Sequence, residues 1–147
     1  MKRALLLLLA LALAMTCVLA ITSCGSSSRG SDDEEIYPNE DPEKAEKSLK
    51  RDGYTVVDGS STADMFIGEG NTENLNEAIS AVKGTEHIVV FYFKDSESAE
   101  AAYEYLEYYI KAYREQAKET NEGFNYSIGL YGTRAWIGTP GAIESAE

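Results

Sequence analysis

Cysteine and histidine are both scarce in this sequence. Both cysteines, Cys17 and Cys24, lie near the amino terminus, so no thiol is available further along for a disulfide, a zinc site or a nucleophile. His87 is the only histidine, which excludes metal motifs with two imidazoles and leaves a serine nucleophile one possible base. The sequence therefore predicts no metal, no cofactor and no catalytic residue, with His87 an ordinary residue at a strand start.

Positive charge is also scarce. The chain has 13 Lys and Arg against 25 Asp and Glu, a net charge of −12 at pH 7. Lys2 and Arg3 precede every acidic residue, so the chain from residue 24 onward has 11 basic and 25 acidic residues, a net charge of −14. Such an excess repels phosphate backbones, which argues against a nucleic-acid partner.

The first 23 residues have the order of parts of an export signal. Lys2 and Arg3 supply the positive start, and an uncharged apolar run from Ala4 to Ile21 follows. As a helix this run would be roughly 27 Å long, which almost spans a bilayer core. Length alone therefore does not separate a cleaved signal from an uncleaved anchor helix, and either one places the domain on the same side of the membrane.

The segment Ile21-Thr22-Ser23-Cys24 closely resembles the lipobox of bacterial prolipoproteins, in which an aliphatic residue and two small residues precede a cysteine. In that family the cysteine receives diacylglycerol and the chain is cut just before it. The resemblance implies a signal peptide over 1–23 and a lipid-attached Cys24, which palmitate labelling would detect. Several acyl chains, at about 0.8 kcal/mol per buried methylene, give stable attachment to the extracytoplasmic face of the cell membrane.

Residues 24–40 are expected to be the lipidated Cys24 and a flexible tether. Gly and Ser dominate residues 25–31, and Asp32 to Glu35 is an acidic run. Small polar residues and clustered like charges cannot bury enough apolar area to offset chain entropy. A single domain over residues 41–147 is expected to follow.

This domain is predicted to be α+β. The predicted helices are 41–52, 72–84, 96–119 and a short one after Thr139-Pro140, and the predicted strands are 54–58, 87–93, 124–131 and 134–139. One sheet covered by helices on one face is an economical arrangement for so short a chain. We expect a two-layer sandwich whose mixed four-stranded sheet is ferredoxin-like in general character.

Two of these predictions depend on apolar patterns. The helix over 72–84 rests on Leu75, Ala78, Ile79 and Val82, which fall at i, i+3, i+4 and i+7. The strand from His87 to Phe93 is an apolar run of the kind expected in a central strand buried on both faces.

The long helix over 96–119 divides into three sectors. At about 100° per residue, one stripe should face the sheet: Ala99, Ala102, Tyr103, Leu106, Ile110, Tyr113 and Ala117. A charged stripe should face water, and a third sector holds Tyr105, Tyr108 and Tyr109. Tyrosine combines apolar area with a polar tip, so these three are candidate partner-binding residues. The alternative is that they lie on the helix flank, half covered by the loop at Gly59 to Gly70.

The mature domain also resembles, loosely, small uncharacterised lipoproteins of Gram-positive bacteria. The resemblance rests on Gly53-Tyr54 before the first strand and on a closing strand that ends in Trp136-Ile137-Gly138-Thr139-Pro140. It implies no particular activity.

Three functions are compatible with these features. The first is a membrane-anchored, non-enzymatic binding or interaction module for an envelope protein or a cell-wall component. The second is a small extracytoplasmic hydrolase that uses carboxylates, for which Asp58, Asp64 and Glu69 share one loop. The third is an accessory subunit of an envelope complex. The enzyme requires two carboxylates in a concave pocket, at least one with a displaced pKa.

Overall fold

The packed chain begins before the helix with which the domain is expected to start. The computed structural model describes residues 36–120 and 123–147, so the predicted signal peptide, Cys24 and residues 25–35 lie outside the described residues. Pro38 is fully buried, and the Asn39 N–H donates to the carbonyl oxygen of Ala146 at 2.8 Å. Residues 36–40 therefore pack on the domain, and the prediction that they belong to the tether is wrong.

The described part of the chain contains four α-helices and five strands. In chain order they are α1 Pro42–Arg51, β1 Thr55–Asp58, α2 Ala63–Ile67, β2 Leu75–Lys83, β3 Glu86–Phe93, α3 Ser96–Thr120, β4 Ser127–Tyr131, β5 Arg134–Gly138 and α4 Pro140–Ser145. The α+β class is confirmed. Among these described residues, no helix is both long enough and apolar enough to cross a bilayer.

All five strands form one sheet in the order β1-β2-β3-β5-β4, and every neighbouring pair is antiparallel. We had expected a mixed sheet of four strands. The difference arises because the segment predicted as a helix over 72–84 is β2, which pairs with β3 over almost its whole length. Gly84, with φ +60°, stands in the tight turn between these two strands and does not end a helix.

The apolar spacing in β2 was misleading for a physical reason. Ala78 and Ile79 are both buried, but they belong to cores on opposite faces of the sheet. A strand covered on both faces does not need to alternate apolar and polar residues, so its pattern can match a helix by coincidence.

Helices cover both faces of the sheet, which corrects the expected two-layer arrangement. In β3, Ile88, Val90 and Tyr92 join the core under α1 and α4, whereas Val89 and Phe91 join the core under α2 and α3. We call these the α1 face and the α3 face. A sheet whose central strand is apolar on both sides must be covered on both sides, so a layer on one face could not be sufficient.

Candidate functional site

The three tyrosines of the predicted surface do not lie on one common surface. Tyr105 and Tyr108 are 43% and 71% exposed, and their ring centroids are 6.5 Å apart. Tyr109 instead turns towards the sheet, where its ring packs 5.3 Å from that of Phe66 on α2. The structure therefore places two of the predicted residues side by side on the surface of α3 and the third in the flank of the core.

The ring of Tyr105 lies directly over the backbone of Gly68. A Cβ atom on residue 68 would approach Tyr105 Cε2 to 2.9 Å, and Gly68 has φ +80° and ψ 147°, a conformation that is essentially restricted to glycine. The ring of Tyr105 therefore rests on Gly68 while the residue remains 43% exposed. Tyr105 and Tyr108 consequently form a small aromatic surface on α3, which we call the tyrosine pair.

Tyr109 also belongs to a second aromatic group on the α3 face, together with Tyr113 and Tyr126. Tyr109 and Tyr113 have parallel rings 6.5 Å apart, and Tyr113 meets Tyr126 edge-on at 6.2 Å. Burial, followed by the neighbouring Tyr113 and Tyr109, raises the pKa of Tyr126 to about 12. His87 packs edge-on against Tyr126 at 6.4 Å, and burial lowers the pKa of its imidazole. His87 and Tyr126 are therefore both uncharged at neutral pH.

A groove of about 450 Å³ lies at the β1 edge of the sheet. Its charged side chains are Glu46 from α1, Asp58 from the end of β1 and Glu77 from β2. Asp58 pairs in register with Ile79, so Glu77 lies one step further along β2 on the same face. The α1 helix thus carries one carboxylate over a strip of sheet that carries two.

The surroundings displace the pKa values of the two sheet carboxylates in opposite directions. Desolvation is the largest cause that raises the pKa of Glu77, and the negative charges of Glu46 and Asp58 raise it further. For Asp58, the Ser60 backbone N–H, which donates to Asp58 Oδ1 at 2.8 Å, is the main cause that lowers the pKa. One carboxylate is therefore biased towards the protonated form and its neighbour towards the charged form.

Of the three groove carboxylates, only Asp58 is among the predicted site residues; Glu77 and Glu46 are not. Asp64 and Glu69, which were grouped with Asp58 from the same loop, do not line the groove. Glu77 was missed because residues 72–84 were assigned to a helix, where it would not have lain beside Asp58. Predicting a strand for this segment would have placed Glu77 beside Asp58.

The raised pKa of Glu77 predicts a pH-dependent gain in stability from Glu77→Gln. A carboxyl whose pKa is higher in the folded than in the unfolded state loses stability as pH rises through that interval. The variant should thus be more stable than the parent at pH 7, by a few tenths of a kcal/mol because the groove is open and screened. The difference should disappear under acidic conditions where Glu77 is protonated in both states. Urea unfolding at several pH values measures it.

Glu100→Gln, on the exposed surface of α3, is the matched control for this charge change. High salt should reduce the effect at Glu77 because it screens the repulsion from Glu46 and Asp58. A gain in stability of equal size for both variants would show that total charge is responsible and that the groove is not.

Neither the described residues nor the comparisons with known proteins identify a reaction. Within residues 36–120 and 123–147, no group of three carboxylate or imidazole side chains is placed to hold a metal ion. Comparison of the chain with protein-family models, with curated proteins and with solved structures gives no match. Functional inference therefore depends on the chain's own surfaces.

Proposed function

We propose that this chain is a lipoprotein attached through Cys24 to the extracytoplasmic face of a membrane. Its domain acts there as a non-enzymatic binding or interaction module. The lipobox-like segment that ends at Cys24 supports the attachment. The observation that supports binding is the tyrosine pair, two adjacent exposed aromatic rings of which Tyr105 is braced by Gly68.

An exposed pair of this kind favours a partner that offers flat or apolar surface. Tyrosine provides a large contact area at low cost in side-chain entropy, and it is enriched where protein interfaces contribute most of their binding energy. Ring faces also pack on the C–H faces of sugars. An envelope protein and a cell-wall glycan are accordingly the two partner classes, and the envelope protein includes the case of an accessory subunit.

Photo-crosslinking from position 108 tests the proposal. A photoreactive phenylalanine analogue replaces Tyr108 in the full chain, expressed in its own cells, and the matched control carries the analogue at Val82, an exposed apolar residue on β2. We expect one recurrent product from position 108 and none from position 82. Tyr105→Ser should reduce the yield by about tenfold, the loss typical of one important interface residue.

Two results would contradict the binding proposal. One is the same set of products from positions 82 and 108, which would indicate random collisions. The other is a lack of any protein product together with a failure of the purified full chain to co-sediment with cell-wall material. Co-sedimentation that is lost in Tyr105→Ser would instead identify the glycan as the partner.

A carboxylate-based hydrolase is the second candidate, and the groove favours it. A pair of carboxylates whose pKa values move apart is the arrangement that general acid and base chemistry requires. Turnover of an envelope glycan or ester by the full chain, lost in both Glu77→Gln and Asp58→Asn but kept in Glu100→Gln, would support the enzyme. Absence of turnover across such substrates would leave the binding module.

A further inference from the structure

Arg134 is a buried cation whose Nε atom has no hydrogen-bond partner among the described residues. Its side chain is only 6% exposed, and its Nε atom is buried without a hydrogen-bond partner. No described residue forms an ion pair with it. The ring of Tyr131 lies 5.3 Å from the guanidinium carbon, and Tyr92 interacts with the guanidinium electrostatically. A buried charge normally has an anion beside it, because desolvation is otherwise uncompensated. The position therefore calls for an anionic ligand.

The surroundings of Arg134 are aromatic and partly exposed. Arg134 is the register partner of Tyr92 on β3 and of Tyr131 on β4, so all three lie on the α1 face. The ring of Tyr37 stacks on that of Tyr131 at 4.3 Å, and Tyr131 is 52% exposed. Ile36, next to Tyr37 in the chain, is 43% exposed. A small apolar surface thus surrounds the edge of a buried guanidinium.

This surface is also the place where the described chain begins. Under the proposed attachment, residues 25–35 connect it to the lipidated Cys24, and eleven extended residues reach at most about 40 Å. Ile36 and Tyr37 are consequently the described residues closest along the chain to the proposed anchor. Tyrosine and isoleucine suit the region between lipid headgroups and acyl chains.

We infer that Ile36, Tyr37, Tyr131 and Arg134 form a membrane-contact surface in which the Arg134 guanidinium binds the phosphate of a phospholipid headgroup. The guanidinium fork matches the geometry of phosphate oxygens and is weakly hydrated, so it can bind them in a partly apolar site. A zwitterionic phospholipid is the ligand, because a mature chain of net charge −14 is repelled by anionic lipid. The inference rests on the proposed attachment and adds an orientation to it.

The single tryptophan of the chain reports on this surface. Trp136 lies 6.0 Å from the ring of Tyr37, and no other tryptophan contributes fluorescence. The acylated full chain is reconstituted in phosphatidylcholine vesicles that contain a lipid with a nitroxide on its headgroup. We expect strong quenching of Trp136 fluorescence in the parent and about tenfold weaker quenching in Arg134→Gln. The reason is that one charge-assisted hydrogen-bonded pair commonly changes a binding equilibrium by an order of magnitude.

Arg114→Gln is the matched control, since Arg114 is an exposed arginine on α3 that lies over the ring of Phe124. Its quenching should equal that of the parent, and Arg134→Lys, which keeps the charge without the fork, should be intermediate. Equal quenching in the parent and Arg134→Gln overturns the inference. So does the absence of quenching in the parent, a result that needs no variant and stands even if Arg134→Gln fails to fold.

Two further measurements distinguish a lipid headgroup from free phosphate, and the membrane-contact surface from the proposed lipid attachment. Quenching that survives excess inorganic phosphate supports the headgroup, whereas a tryptophan response to inorganic phosphate with none to vesicles assigns the site to a free anion and overturns the inference. An acylated chain without quenching overturns this inference and leaves the proposed attachment intact. A chain from cells that carries no acyl group refutes the attachment itself, which mass analysis of the amino terminus detects separately.

Discussion

Replacing Gly129 with alanine should destabilise the protein by about 3 kcal/mol, at the upper end of the cost of overpacking a core. A Cβ atom on residue 129 would lie 2.2 Å from Cζ2 and 2.4 Å from Cε2 of Trp136, whose side chain is buried. The indole lies across β4 at this point and is held by Tyr37 at its edge. It cannot move away without disturbing the α1 face. Denaturant unfolding followed by circular dichroism measures the change.

The sign of this effect is informative, because strand propensity alone predicts the opposite. Alanine costs less backbone entropy than glycine in a strand, so an unobstructed replacement would stabilise it. Gly70→Ala is the matched control: a Cβ at that position meets nothing within 4 Å, and the change should stay within about 0.5 kcal/mol of the parent. If the two variants were equally stable, Trp136 could not lie across Gly129 as described.

A second substitution tests the contact directly. Trp136→Phe removes the part of the indole that meets residue 129, so it should recover at least about 1 kcal/mol in the Gly129→Ala background. In the parent background the same change should only destabilise, because it leaves unfilled space in the core. Additive losses in the double variant would mean that the clash occurs elsewhere.

Local signals along the chain predicted most of the helices and strands correctly. Asp41-Pro42 marks the start of α1, and the Asp41 side chain accepts a hydrogen bond from the Glu43 N–H at 3.0 Å. The sheet-facing stripe of α3 is also confirmed, since Ala99, Leu106 and Ile110 are buried with its other aliphatic residues. Capping and helical periodicity depend on neighbours a few residues apart, so a single sequence contains them.

Features that depend on the pairing of distant segments were not predictable in this way. Whether residues 75–83 form a helix or a strand is decided by their pairing with β3 and β1, which local spacing does not encode. The same applies to the second helical layer. Apolar residues on both faces of β3 were evident from the sequence, but their consequence for the number of layers requires the complete strand order.

For the candidate sites too, features set by local sequence were predictable and features set by distant packing were not. Exposure of Tyr105 and Tyr108 follows from helical periodicity, whereas the inward turn of Tyr109 depends on the position of Phe66 on another helix. The burial of Arg134 was not predictable, because an arginine beside a turn is normally solvated. It becomes visible only when strand register places it between Tyr92 and Tyr131.

Cys24→Ala should abolish incorporation of labelled palmitate, and Cys17→Ala should leave it unchanged. The proposed attachment uses the Cys24 thiol, whereas Cys17 lies within the apolar run that the signal peptidase would remove. With acyl chains contributing about 0.8 kcal/mol per methylene, their loss should release the domain from membranes, or leave the uncleaved precursor in them. Labelling, followed by fractionation and mass analysis of the amino terminus, distinguishes these two products.

The paired cysteine variants make this test specific. Labelling lost from Cys24→Ala alone supports attachment at the lipobox-like segment, whereas equal labelling of Cys24→Ala and the parent would remove the lipid from the proposal. An uncleaved amino terminus in the parent would indicate a helical anchor, which also fixes the domain at the outer face. In that case the chain length between membrane and domain is nearly the same, so the expected position of the Arg134 surface beside the headgroups persists. The two properties can therefore fail separately: mass analysis of the amino terminus tests the attachment, and the Trp136 measurement on the acylated chain tests the membrane-contact surface.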